Sequence, residues 1–174
     1  MTGDLQRYNR GARALHWIIA VLVIANILSG LFHEPLENIV RLVPLHKATG
    51  MTILALTIVR IGWRLTWKHP PYPPSVRHAE ALTARVVQAI FYALMIAMPL
   101  TGWIMASAGK YPLSWFGLFD LPKLAVARDG MVYAIGRPMH EVLGYLFAAL
   151  VVLHVAAALR HHFILRDDVL KRMA

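Results

Sequence analysis

Residues 139–159 read MHEVLGYLFAALVVLHVAAAL: apolar from end to end except for one glutamate and two histidines. The run matches the roughly 20 residues that a helix needs to cross a hydrocarbon layer about 30 Å thick. In lipid such a segment must satisfy its own backbone, which makes it a helix. His154 follows His140 by fourteen residues, which at 100° per residue returns it to within about 40° of the same face, roughly 21 Å along the axis. An ionisable group in lipid is costly enough to mark a functional position. One helix face therefore offers two imidazoles at two depths.

Three further runs have the same character, at about Ala14–Phe32, Leu45–Trp63 and Val86–Ala108. With 58% hydrophobic and only 16% charged residues, and a mean hydropathy of +0.54, the chain lacks the polar surface to coat a water-soluble sphere. The sequence predicts an all-α membrane protein, a four-transmembrane-helix bundle forming a single domain over residues 1–174. The first run is expected to remain as a helix rather than be cleaved as a signal, since it is long and carries His16 at its entrance.

The 18 Lys and Arg against 9 acids do not point to nucleic acid, because their distribution follows the membrane. Arg7, Arg10 and Arg13, then Arg60, Arg64, Lys68, Arg77 and Arg85, then Arg160, Arg166, Lys171 and Arg172 fall on one side and outnumber Arg41, Lys47, Lys110, Lys123, Arg128 and Arg137 on the other. By the positive-inside rule both termini and the second connection face the cytoplasm, with Phe32–Leu45 and Ala108–Pro138 outside. Trp17, Trp63 and Trp67, and on the other side Trp103 and Trp115, fit an interfacial aromatic belt. Cysteine is absent, which removes disulfides, Cys-ligated iron–sulfur clusters and thioether-bound haem.

Between the runs, the prolines of Lys68–Pro74 favour an extended path on the inner side. The outer connection Gly109–Pro138 contains Trp115-Phe116-Gly117-Leu118-Phe119, too apolar for a solvated loop. It is expected to lie on the membrane surface or to lid the bundle. Pro99 lies inside the third helix, with Gly102 close by.

Helix direction then chooses partners for the histidines. His46 starts the second helix and His140 the fourth, both entering from outside, and each is about nine residues, or roughly 13 Å, outward of its run's centre. They pair well. His16, at the start of the first helix, lies about eight residues inward, and its partner is either His154, about five residues inward, or His161, seven residues farther on the same face. Two imidazoles per iron, with no open position and no cysteine, suit non-covalently held b haems engaged in electron transfer.

Gly50 and Gly144 each follow a histidine by four residues and so share its face, where a flat porphyrin needs bare backbone; close helix packing is the other reading. Arg60 comes fourteen residues after His46, placed to pair with a propionate of the inner haem or to snorkel to the interface. A zinc site would gather three or four ligands at one point, and a histidine proton relay would explain neither the paired depths nor the glycines.

In Leu15-His16-Trp17, in His46-Lys47-Ala48-Thr49-Gly50 with Arg60 and Arg64, in the Trp115–Leu121 loop, in His140-Glu141 with His154, and in His161-His162 with the tail Asp167–Met173, the chain resembles the bacterial cytochrome b561 family. These are small four-helix dihaem proteins related to cytochrome subunits of membrane hydrogenases and formate dehydrogenases. The resemblance, which runs nearly end to end, implies that His16, His46, His140 and His154 are the ligands of two haem b, favouring His154 over His161. It also implies a quinone-linked oxidoreductase of the bacterial inner membrane that passes electrons from an outer donor, superoxide for part of the family, to ubiquinone. The alternative is a haem-bearing anchor and relay subunit for a soluble dehydrogenase or hydrogenase. His161 is the candidate for the quinone end, because it carries the His140–His154 face about 10 Å further, to the interface.

Overall fold

The computed structural model describes residues 7–67, 70–71 and 76–174; Lys68, His69 and residues 72–75 of the proline-rich connection lie outside them. Four helices account for most of the chain: α1 (Arg10–Phe32), α2 (Leu42–Thr66), α3 (His78–Ser107) and α4 (Met131–Arg160). All four are long and apolar enough to cross a membrane. Each begins before its apolar run does. α3 and α4 both start eight residues earlier than the run that predicts them, since a backbone can stay helical in water after its side chains cease to be apolar. Pro138, read as the end of a loop, is thereby the eighth residue of α4.

The chain starts α1 with a side-chain cap, the Asn9 carboxamide oxygen accepting from the Ala12 amide at 2.7 Å. Each helix packs on the next in sequence, α1 on α2, α2 on α3 and α3 on α4, with a slighter contact between α1 and α4. In lipid there is no hydrophobic drive between helices, so close packing and polar contacts hold the bundle together. Ile19, Val23, Ile53, Leu94, Met95 and Phe147, drawn from all four helices, form the buried core. By position in the chain this core lies midway along the bundle, between the level of His16 and His154 and that of His46 and His140. The outer faces are apolar and bare, with Val21, Val152 and Leu153 each more than 60% exposed.

One end of the bundle holds both termini and is called here the terminal end. There the Tyr8 amide donates to Arg172 O at 3.1 Å, Trp17 Nε1 to Met173 O at 2.8 Å and Arg172 Nη2 to Pro71 O at 2.6 Å. Arg13 also donates to the Ala174 carbonyl. The opposite, loop end is covered by residues 108–130. A hairpin of β1 (Leu113–Trp115) and β2 (Phe119–Leu121) pairs Leu113 with Leu121 and Trp115 with Phe119. Its turn has positive φ at Phe116 (51°) and Gly117 (76°); the glycine adopts it without strain, whereas Phe116 is held there at a cost. Leu113 is buried, and Trp115 Nε1 donates to Thr52 Oγ1 of α2 at 3.0 Å. The segment lids the bundle, as its aromatic content predicts.

Candidate functional site

The structure brings the four histidines together in two pairs. His46 and His140 face one another at the loop end with ring centres 6.0 Å apart and planes crossed at 83°. His16 and His154 do so towards the terminal end, at 6.4 Å and 78°. Two imidazoles sharing one metal ion, each at about 2 Å metal–nitrogen distance, have ring centres roughly 6 Å apart. Both pairs fit that requirement. Among the described residues no three His, Asp or Glu side chains converge on a point, so the donor sets are two-ligand sets of the kind a porphyrin completes.

The loop-end pair is held by hydrogen bonds to neighbouring helices. His46 Nδ1 lies 3.0 Å from the Asn26 carbonyl and 3.1 Å from Ser29 Oγ, both on α1. His140 Nδ1 lies 2.9 Å from Thr101 Oγ1 on α3, whose hydroxyl donates to the Met98 carbonyl at 2.8 Å. With Nδ1–H donated to these oxygens, Nε2 is left unprotonated, the tautomer that a metal ligand requires. A Cβ at Gly30 would stand 3.0 Å from Cε1 of His46, and one at Gly102 would stand 3.2 Å from Cε1 of His140. The bare backbone against the rings is thus that of Gly30 and Gly102. Gly50 is buried with its Cβ position facing Asn26, whose carbonyl receives His46, and Gly144 faces Met98, whose carbonyl receives Thr101.

The terminal-end pair sits differently. Arg60 Nη2 is 3.5 Å from His16 Nδ1, and Arg60 Nε donates to Tyr92 OH at 3.3 Å. Arg60 and Tyr92 also line a small cavity with Arg64, Gln88, Trp63 and Met173, a cationic and hydrogen-bonding setting suited to propionates. His154 packs edge-on against Phe91, ring centres 5.1 Å apart. His161 does not join this pair. Its Nδ1 meets Asp167 Oδ2 at 2.5 Å, and with Arg77, Glu80, Arg160 and Leu165 it lines a cavity of about 300 Å³. The chain there leaves the α-helix for one π turn, His161–Leu165, closed by left-handed Arg166, an irregularity frequent at functional sites.

Ser29, Thr101, Gly102 and Asp167 escape a reading based on histidines and +4 glycines. Ser29-Gly30 and Thr101-Gly102 are nonetheless visible as hydroxyl–glycine dipeptides inside apolar runs.

The family model described as prokaryotic cytochrome b561 matches residues 7–174. The chain belongs to the prokaryotic cytochrome b561 family. It is 32% identical over 176 residues to cytochrome b561 homolog 2 of Escherichia coli, covering 99% of this chain and 93% of that one. It is 30% identical over 166 residues to the probable superoxide oxidase CybB of Yersinia pestis, covering 91% and 90%, and 29% identical to a cytochrome b562 of Cereibacter sphaeroides, covering 95% and 94%. Membership makes it a multi-pass bacterial membrane protein and an electron-transfer cytochrome of a family that binds b haem.

Proposed function

We propose that this cytochrome b561 carries single electrons across the bacterial inner membrane, from superoxide at the loop end to ubiquinone at the terminal end, through two bis-histidine b haems. The observation that carries the reading is the pairing of four imidazoles at two levels, at 6.0 and 6.4 Å. A b haem at each level supplies a one-electron couple. His46 and His140 would hold the first and His16 and His154 the second, with Arg60 where it would neutralise a propionate.

The basic residues, which crowd the terminal end, support an orientation with both termini in the cytoplasm. At the loop end Lys47, in the first turns of α2, and Lys110 and Lys123 of the covering segment supply basic side chains, which favour an anion. The relative from Yersinia pestis, named a probable superoxide oxidase, supports that donor. Superoxide loses one electron and leaves as dioxygen; two such electrons and two protons convert ubiquinone to ubiquinol. His161, backed by the Asp167 carboxylate and open to a cavity, is placed to hydrogen-bond a quinone carbonyl and deliver a proton.

The test uses purified protein exposed to enzymatically generated superoxide. Haem reduction that superoxide dismutase abolishes, followed by reoxidation on adding ubiquinone, is expected. His46→Ala and His16→Ala should lose complementary halves of the haem spectrum. Reduction insensitive to dismutase would refute the donor, and identical spectra of the two variants would refute the pairing.

A further inference from the structure

Two helices far apart in sequence present the same arrangement to a histidine. On α1, Ser29 Oγ donates to the Asn26 carbonyl at 2.8 Å and stands 3.1 Å from His46 Nδ1, with Gly30 directly after it against the ring. On α3, Thr101 Oγ1 donates to the Met98 carbonyl at 2.8 Å and stands 2.9 Å from His140 Nδ1, with Gly102 directly after it against that ring. The receiving helices match too, since Gly50 and Gly144, four residues past each histidine, face Asn26 and Met98.

A hydroxyl bonded to the carbonyl three residues back is a common way for Ser or Thr to be satisfied in a helix, and glycine is common where membrane helices touch. Neither habit explains why both hydroxyls meet an imidazole Nδ1. The other two histidines have no such setting, as His16 faces a guanidinium and His154 a phenyl ring.

We propose that Ser29 and Thr101 are positioning residues for the loop-end haem, fixing His46 and His140 through Nδ1 so that the two ligand planes stay crossed and the ligands stay electron-rich. The glycine after each hydroxyl lets the ring edge reach the helix backbone; at His46 the hydroxyl and the Asn26 carbonyl together take the Nδ1 proton, and at His140 the hydroxyl takes it. A ligand imidazole that donates Nδ1–H to oxygen is a stronger base and favours ferric iron. Loss of either hydroxyl therefore raises the midpoint potential of that haem and lets its ligand plane turn. The inference rests on the assignment of His46 and His140 as ligands of one haem.

The full chain is purified with Thr101→Ala, Thr101→Val, Thr101→Ser, the double Ser29→Ala/Thr101→Ala, and His46→Ala. Haem content, the ferric low-spin electron paramagnetic resonance signal and a redox titration are recorded for each. We expect Thr101→Ala and Thr101→Val to move the large-g signal of crossed imidazole planes for one haem and to raise that haem's potential. Thr101→Ser should restore both, and the double variant should shift further. If Thr101→Ala loses the haem, its recovery in Thr101→Ser supports the role of the hydroxyl, whereas a normal signal and potential in the isosteric Thr101→Val overturn it. Unmoved signals and potentials in the double variant, with one haem lost in His46→Ala, would overturn the positioning role alone. Both haems retained in His46→Ala would overturn the ligand assignment and the proposal with it.

Discussion

The Arg60 guanidinium stands 3.5 Å from Nδ1 of His16, so one histidine of the terminal-end pair meets a cation where His46 and His140 meet oxygens. A positive charge there disfavours ferric iron, which carries one more positive charge than ferrous iron. Removing it lowers the potential of the haem held by His16. Two unit charges several ångströms apart in a partly buried setting interact by about 1–2 kcal/mol, and a tenfold change in a one-electron equilibrium is about 59 mV. Arg60→Leu should thus lower one midpoint potential by roughly 50–90 mV, Arg60→Lys by less, with the second haem nearly unmoved. An optical redox titration checks this, and a shift confined to the loop-end haem would contradict it.

His161 and Asp167 form a close pair facing the cavity lined by Arg77, Glu80 and Arg160. With His161 serving the quinone, His161→Ala should keep both haems and their reduction by superoxide and slow reoxidation by ubiquinone about a hundredfold or more, the usual scale for a general acid. Asp167→Asn slows it less, because the imidazole remains and only its partner's charge is gone. Stopped-flow reoxidation at a fixed ubiquinone concentration reads both. Unchanged rates would return His161 to the status of an interfacial residue.

The glycines separate positions where a side chain has room from positions where it does not. Gly62 has nothing within 4 Å of its Cβ position, whereas Gly30 and Gly102 abut the rings of His46 and His140. Gly30→Leu and Gly102→Leu should each push a ligand aside and cut the haem-to-protein ratio by about half, one of two haems being lost. Gly62→Leu should leave the ratio intact, with a small gain in helix propensity of up to about 1 kcal/mol. Equal ratios in all three variants would show that the rings do not need those backbones.

Much of this was legible in the sequence because a membrane imposes its own period. Four apolar runs mark four helices, and fourteen-residue spacing puts His140 and His154 on one face whatever surrounds them. Helix ends were not legible, since α3 and α4 remain helical through His78–Arg85 and Met131–Pro138, where hydropathy no longer reports the bilayer. The hydrogen bonds of Ser29 and Thr101 depend on which helix abuts which, and periodicity along one helix cannot give that. Gly50 and Gly144 stood out by their spacing from histidine, yet their neighbours, Asn26 and Met98, became visible only once α1 lay on α2 and α3 on α4.

The central claim is that each chain holds two non-covalent b haems between its paired histidines. A pyridine haemochrome assay against protein concentration, followed by extraction into acidified solvent, tests it most directly. The account predicts two haems per chain, both extractable. One haem per chain, or haem that stays with the protein, would contradict it.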